Sequence, residues 1–340
     1  MPRNSKFKKL ANRQKKRYNA FMNRRPHRSF RLTRRRDYIR PLVLPGYFSF
    51  THEVTRTLWK YKKTFVLLAL VYVTVYAVLV GLQSQSDYAS LSDTLTTTGS
   101  DLFAGGWGAI GKAGVLLASI FSMNYGTTST EAQQIFSVLI FLMTWLTTVW
   151  LLRNILAGHK VKLRDGLYNS SAPLLSMALV ALLVAVQLIP IAIAVIAYNA
   201  ALVSGLLAGG VASMLFWIGA ALLAVLSLCW ITSSLFAMII VTLPGMYPYQ
   251  AIKTAGDIML GRRIKILLRW LWMILVVVIA TLVVMIPIIL IDMGIKQLWP
   301  AVQSVPVVPV AFVLLLACTT IWVASYVYML YRKVVDYAPR

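Results

Sequence analysis

Apolar residues in this chain gather into six long runs, and the connections between them carry nearly all of the charge. The runs cover residues 64–82, 134–156, 172–197, 211–243, 267–291 and 307–331. A helix crosses the hydrocarbon core of a bilayer with about 20 apolar residues, and each run is of that order or longer. The fourth is the longest, so it must tilt or extend beyond the hydrocarbon at one end. The fold class predicted is all-α: a polytopic membrane protein whose six-helix transmembrane domain occupies residues 46–335, behind a basic cytoplasmic tail of residues 1–45.

Shorter segments with mixed polarity precede three of the runs. Residues 48–63 place Phe50, Val54, Leu58 and Trp59 among Arg56, Lys60, Lys62 and Lys63, the pattern of a helix at headgroup level. Before the fifth run, Ala251, Ala255, Ile258 and Met259 fall on one helical face, with Lys253 and Asp257 on the other. Surface helices are therefore expected before spans one, three and five. The third of them, with Lys253, Asp257, Arg262 and Arg263, is either a structural elbow or an interfacial platform for headgroups or a partner. Residues 105–123, glycine-rich and moderately apolar, read as an outer interfacial or re-entrant helix.

Lysine and arginine in the connections set the orientation. One side holds the tail, Lys160, Lys162, Arg164, Lys253, Arg262, Arg263, Lys265 and the C-terminal Arg332, Lys333 and Arg340. The other holds Lys112 and Lys296 against Asp87, Asp93, Asp101, Glu131 and Asp292. An even number of spans returns the chain to its starting side. The expectation is a multi-pass protein of the plasma (inner) membrane of a bacterium, with both termini cytoplasmic. No secretory signal peptide is expected, and the first run reads as an uncleaved anchor.

Composition sharpens the division between tail and body. The chain is 59% hydrophobic and only 13% charged, against about a quarter charged for a soluble domain. Its formal net charge is +24, and most of that lies before residue 64. Lys8, Lys9, Lys15, Lys16, Arg17, Arg24, Arg25, Arg34, Arg35 and Arg36 crowd a tail with too few aliphatics for a core, predicting disorder or folding on contact. Such clusters gain free energy by releasing counterions at polyphosphate or by meeting the anionic inner leaflet. Tyr18, Phe21, Phe30 and Tyr38 could stack on RNA bases. Anionic lipid is the leading tail partner, ahead of RNA or the ribosome and an acidic protein.

A weak internal repeat runs through the apolar body. Three hairpins follow one another, and the second helix of each carries a similar tetrad: Trp145-Leu146-Thr147-Thr148, Trp230-Ile231-Thr232-Ser233 and Trp322-Val323-Ala324-Ser325. Two first helices share Ile189-Pro190-Ile191 and Ile286-Pro287-Ile288. Duplication of a hairpin and chance reuse of common packing chemistry both account for this pattern.

Chemistry is sparse. His27, His52 and His159 form no zinc-like cluster with cysteine or carboxylate, and there is no nucleophile elbow or phosphate-binding glycine loop. No catalytic residue, metal site or cofactor is expected. Cys229 and Cys318 lie in separate apolar runs and read as small packing residues. Arg153 and Arg269 fall near basic-side ends of spans, where their side chains can snorkel. Gln187 beside Pro190, together with Pro287, frames a candidate intramembrane pocket between the third and fifth helices, although a simple proline kink explains the same residues.

Residues 251–262 carry a resemblance. Ala251, Ile252, Lys253, Gly261 and Arg262 match the amphipathic segment of the six-helix bacterial membrane domain fused to some glycerophosphodiester phosphodiesterases, and of its stand-alone relatives. Ala255 stands where serine is usual and Gly256 where an aromatic is usual. The resemblance implies a six-helix architecture over roughly residues 50–335, without a phosphodiesterase domain. The function expected is a non-enzymatic membrane protein that binds or organises partners. The alternative is a permease-like or lipid-handling protein using the Gln187, Pro190 and Pro287 pocket. A membrane-embedded enzyme ranks third.

Overall fold

The computed structural model describes residues 44–81, 130–205, 207, 210–260, 262–299 and 305–336, and their regular secondary structure is entirely helical. The basic clusters Lys8 to Arg36 and the segment 105–123 lie outside the described residues. In chain order the helices are α1 (Tyr47–Lys60), α2 (Lys62–Leu79), α3 (Glu131–Leu156), α4 (Leu163–Asn169), α5 (Leu174–Val203), α6 (Gly210–Ile240), α7 (Pro248–Met259), α8 (Arg263–Leu298) and α9 (Val307–Val335). Six of them, α2, α3, α5, α6, α8 and α9, are long and apolar enough to cross a membrane. The chain is an all-α, multi-pass membrane protein, and short helices precede its first, third and fifth spans as the polarity pattern predicts.

Two helix ends differ from the predicted runs for identifiable reasons. α3 starts early because Thr130 caps it: its hydroxyl accepts from the Gln133 backbone N–H, and the Gln133 side-chain Oε1 accepts from the Thr130 N–H at 2.9 Å. α8 runs on to Leu298, well past residue 291, and carries Asp292 and Lys296 within it rather than in a loop. The two neutralise each other one turn apart, Nζ to Oδ2 at 2.6 Å, which lets the helix continue with charged residues on board.

Packing repeats in cyclic order. Within each unit of one short helix and two spans, the spans pair: α2 with α3, α5 with α6, α8 with α9. Between units, each second span packs on the next first span: α3 on α5, α6 on α8, and α9 back on α2. The short helices obey the same rule. α4 docks on α2 and α3, and α7 docks on α5 and α6. α1 closes the circle by packing on α9 and stacking Tyr47 and Phe48 against Trp272 of α8. Short connections between consecutive spans produce this order whether the hairpins were duplicated or not. One helix breaks the equivalence: α9 packs on both other second spans and is the centre of the bundle.

The core sits at the end of the bundle that carries α1, α4 and α7, here called the base. In α2 the buried side chains Phe65, Leu68, Ala69 and Tyr72 all lie before its last two turns, toward α1. The fully buried stretches of α6 and α9 lie in their last turns, around Phe236 to Ile240 and Ala324 to Leu330. Away from the base, side chains such as Ile196, Val203 and Val211 face outward. Lipid is as apolar as leucine, so those faces need no protein cover.

Each short helix meets the bundle through residues that suit its docking. α1 buries Phe50 and Val54, one turn apart, and Phe50 stacks edge-on against Tyr326 with ring centres 4.8 Å apart. α7 starts on Pro248 and buries Ala251, Ala255 and Met259, and its two alanines let the backbone pack close to α6. α4 uses Gly166, where a Cβ would sit 2.9 Å from Leu151 Cδ2.

Candidate functional site

Positive charge at the base is held by three arginines that the bundle turns inward. Arg269, on the first turns of α8, is 5% exposed. It donates from Nη2 to the carbonyl of Pro45, the last residue of the tail, and lies over the Tyr47 ring at 4.2 Å. The aromatic face replaces part of the hydration that the buried guanidinium gives up. Arg262 is also buried and donates from Nη1 to the Val334 carbonyl at 3.1 Å, tying the start of α8 to the last turn of α9. Arg153 reaches from α3 to the α6–α7 connection, donating to the Thr242 carbonyl at 3.0 Å and to its hydroxyl at 2.5 Å.

Snorkelling of Arg153 and Arg269 toward water is therefore replaced by capture inside the protein. Backbone carbonyls at helix ends and in connections have free lone pairs, and a planar guanidinium reaches them across helices. In sequence these arginines are indistinguishable from headgroup-facing ones. The tertiary fold supplies their carbonyl partners from residues 72 or more positions away.

The root of the tail is consequently part of the folded base. Pro45 is fixed by Arg269, Trp272 of α8 donates to the Thr51 hydroxyl at 3.0 Å, and Lys333 of α9 pairs with Glu53 at 2.9 Å. Across the base, Arg56, Lys60, Lys62, Lys63, Lys160, Lys162, Arg164, Lys253 and Arg263 are exposed. The interfacial platform expected on α7 is thus divided: Lys253 and Arg263 face outward, Asp257 is half-buried, and Arg262 belongs to the bundle interior.

Beside Arg153 the base contains a cavity of about 350 Å³. Trp150, Asn169, Ser170 and Thr242 line it along with the arginine, so it combines one cation with hydroxyl and amide groups. Ser170 turns its hydroxyl to Thr147 at 2.9 Å.

The intramembrane residues singled out in sequence lie elsewhere. α5 and α8 both pack on α6 and are not a principal pair with one another. Gln187 accepts a hydrogen bond at 2.7 Å from Ser234 of α6, and both Pro190 and Pro287 lie inside unbroken helices. A lone polar side chain in a span is satisfied in this way by a neighbouring helix. The cavities at the base and along α9 are lined by other residues. Among the described residues, no three histidine, cysteine or carboxylate side chains cluster as metal ligands.

Comparison of the chain with protein-family models, with curated proteins and with solved structures finds no match.

Proposed function

We propose that this protein is a non-enzymatic organiser anchored in the bacterial inner membrane, with its base and both termini in the cytoplasm. Its six spans and three short helices form a firm mount, and the basic tail rooted in that mount recruits a partner. Anionic lipid is the first surface the tail meets, since it is tethered beside the inner leaflet. RNA or an acidic protein is the cargo such a tail gathers there. The resemblance of residues 251–262 to the phosphodiesterase-linked membrane domains belongs to this proposal as a matter of architecture.

The observation that carries it is the capture of Pro45 by Arg269. A tail serving only as a topology signal needs positive charge but no fixed point of departure. Here a buried guanidinium, a stacked tyrosine and a tryptophan hydrogen bond all hold the point where the tail leaves the bundle.

Deleting residues 2–40 tests the role directly. Membrane insertion should persist, while partners recovered with the full chain should be lost; an unchanged set of partners would overturn the proposal. Orientation has its own test. A Tyr168→Cys variant lacking Cys229 and Cys318 should resist a membrane-impermeant maleimide in intact cells and react after permeabilisation. Labelling in intact cells would place the base outside.

A further inference from the structure

A groove of about 470 Å³ runs along the central helix α9. Its floor is α9, through Cys318 and Trp322. Its sides are α2, through Phe65 and Val66, and α8, through Val277 and Ala280. α2 and α8 are not a principal packed pair, so the gap between them leads sideways out of the bundle at bilayer depth. α1 roofs the groove toward the base. Two indole N–H groups fix that roof: Trp272 of α8 donates to Thr51, and Trp322 of α9 donates to Thr55 at 3.2 Å.

Polarity changes abruptly at one end. The walls within the bilayer are apolar, whereas the mouth under α1 carries Trp59 and Lys62, with Nζ 5.4 Å from the indole centre. Arg56, Lys60 and Lys63 are exposed around the same turn. The nearest acid in α1, Glu53, is occupied by Lys333. Tryptophan beside lysine at the end of a span marks headgroup depth. A long apolar slot ending in uncompensated cations at that depth is complementary to one class of molecule.

We propose that this groove holds a single anionic phospholipid, with an acyl chain along α9 between α2 and α8 and the phosphate at Lys62. The volume lies in the range of small-molecule sites, and the wall chemistry, apolar with a few placed polar groups, is that of a ligand pocket. The site is separate from the residues at Gln187, Pro190 and Pro287. It stands whether or not the tail recruits a partner.

Native mass spectrometry of the full chain, with added phosphatidylglycerol or phosphatidylcholine, tests it. The intact protein should keep one phosphatidylglycerol through activation that strips other lipids. Ala280→Phe, which fills the groove, should lose that lipid. Ala221→Phe, on the outward face of α6, should keep it. Both variants retain the tail, so lipid held by the tail survives each substitution and is told apart from lipid in the groove. Lys62→Gln, an exposed change that leaves the packing intact, should lower the preference for the anionic lipid by about fivefold, the contribution of one cation at a membrane surface. Equal retention by the intact chain and Ala280→Phe would overturn the proposal. So would equal retention of the two lipids, or a groove-dependent dimer, which would make a second copy the occupant.

Discussion

The Tyr72 phenol oxygen lies 2.8 Å from the Thr147 hydroxyl, joining α2 to α3 inside the bundle. Thr147 also lies 2.8 Å from the Met143 carbonyl and 2.9 Å from the Ser170 hydroxyl. A hydroxyl has one proton and two lone pairs. Thr147 must donate to the carbonyl, so Tyr72 and Ser170 are the donors to it. One side chain therefore satisfies two others, and it links α2, α3 and the end of α4.

That assignment separates two substitutions of similar size. Tyr72→Phe removes one donor and should destabilise the protein by about 0.6 kcal/mol, the average for a hydrogen bond between membrane helices. Thr147→Val leaves two buried hydroxyls without an acceptor and should cost about 1–3 kcal/mol. Unfolding in mixed micelles measures both. Equal losses would show that Thr147 is not the shared acceptor.

Gly166 and Gly256 should respond oppositely to alanine. At Gly166 the new methyl meets Leu151 of α3, itself fully buried, so Gly166→Ala should cost about 1–3 kcal/mol through overpacking. At Gly256 nothing lies within 4 Å, and the residue is inside α7. Gly256→Ala should stabilise by up to ~1 kcal/mol through helix propensity. Thermal denaturation in detergent checks the pair, and a loss at Gly256 would mean that α7 packs more closely than described.

Asp292 and Lys296 form a desolvated pair, with side chains 5% and 13% exposed. Removing the cation alone strands a buried carboxylate. Lys296→Met should therefore cost about 3–5 kcal/mol. Adding Asp292→Asn should restore most of it. A double variant as unstable as the single one would mean the loss comes from packing.

Arg269 should control the local stability of α1. Arg269→Met keeps the apolar bulk but removes the donor to Pro45 and the cation over Tyr47. Hydrogen exchange in α1 should accelerate about tenfold, the equivalent of ~1.4 kcal/mol of local opening. Exchange in α4 and α7 should not change. Uniform acceleration would point to general destabilisation, and no change would remove Arg269 as the anchor of the tail root.

The hairpin repeat shows how sequence and environment part company. Its three tryptophans stand at equivalent places, yet Trp145 is 2% exposed, Trp230 is 47% exposed, and Trp322 clips α1 to α9. The closing hydroxyls behave more uniformly: Thr148 and Ser325 bond back to the carbonyl four residues earlier, and Ser233 to the one three residues earlier. Membrane helices satisfy polar side chains locally when no partner is near. The repeated hydroxyls are therefore legible as helix chemistry, and the tryptophans are not legible as a site.

Sequence by itself determined the six spans, the three short helices ahead of alternate spans, and the concentration of cations on one side. It could do so because bilayer thickness sets the length of an apolar run, and because helical period places Ala251, Ala255 and Met259 on one face regardless of neighbours. The tertiary structure alone decided which groups are spent and which remain available. Arg262 and Arg269 turn inward, Gln187 is matched by Ser234, and the groove forms between the first and fifth spans rather than the third and fifth. Those outcomes depend on pairings between residues 47 to 224 positions apart. Hydropathy carries no record of such pairings, because lipid and protein are equally apolar neighbours to a leucine and only packing distinguishes them.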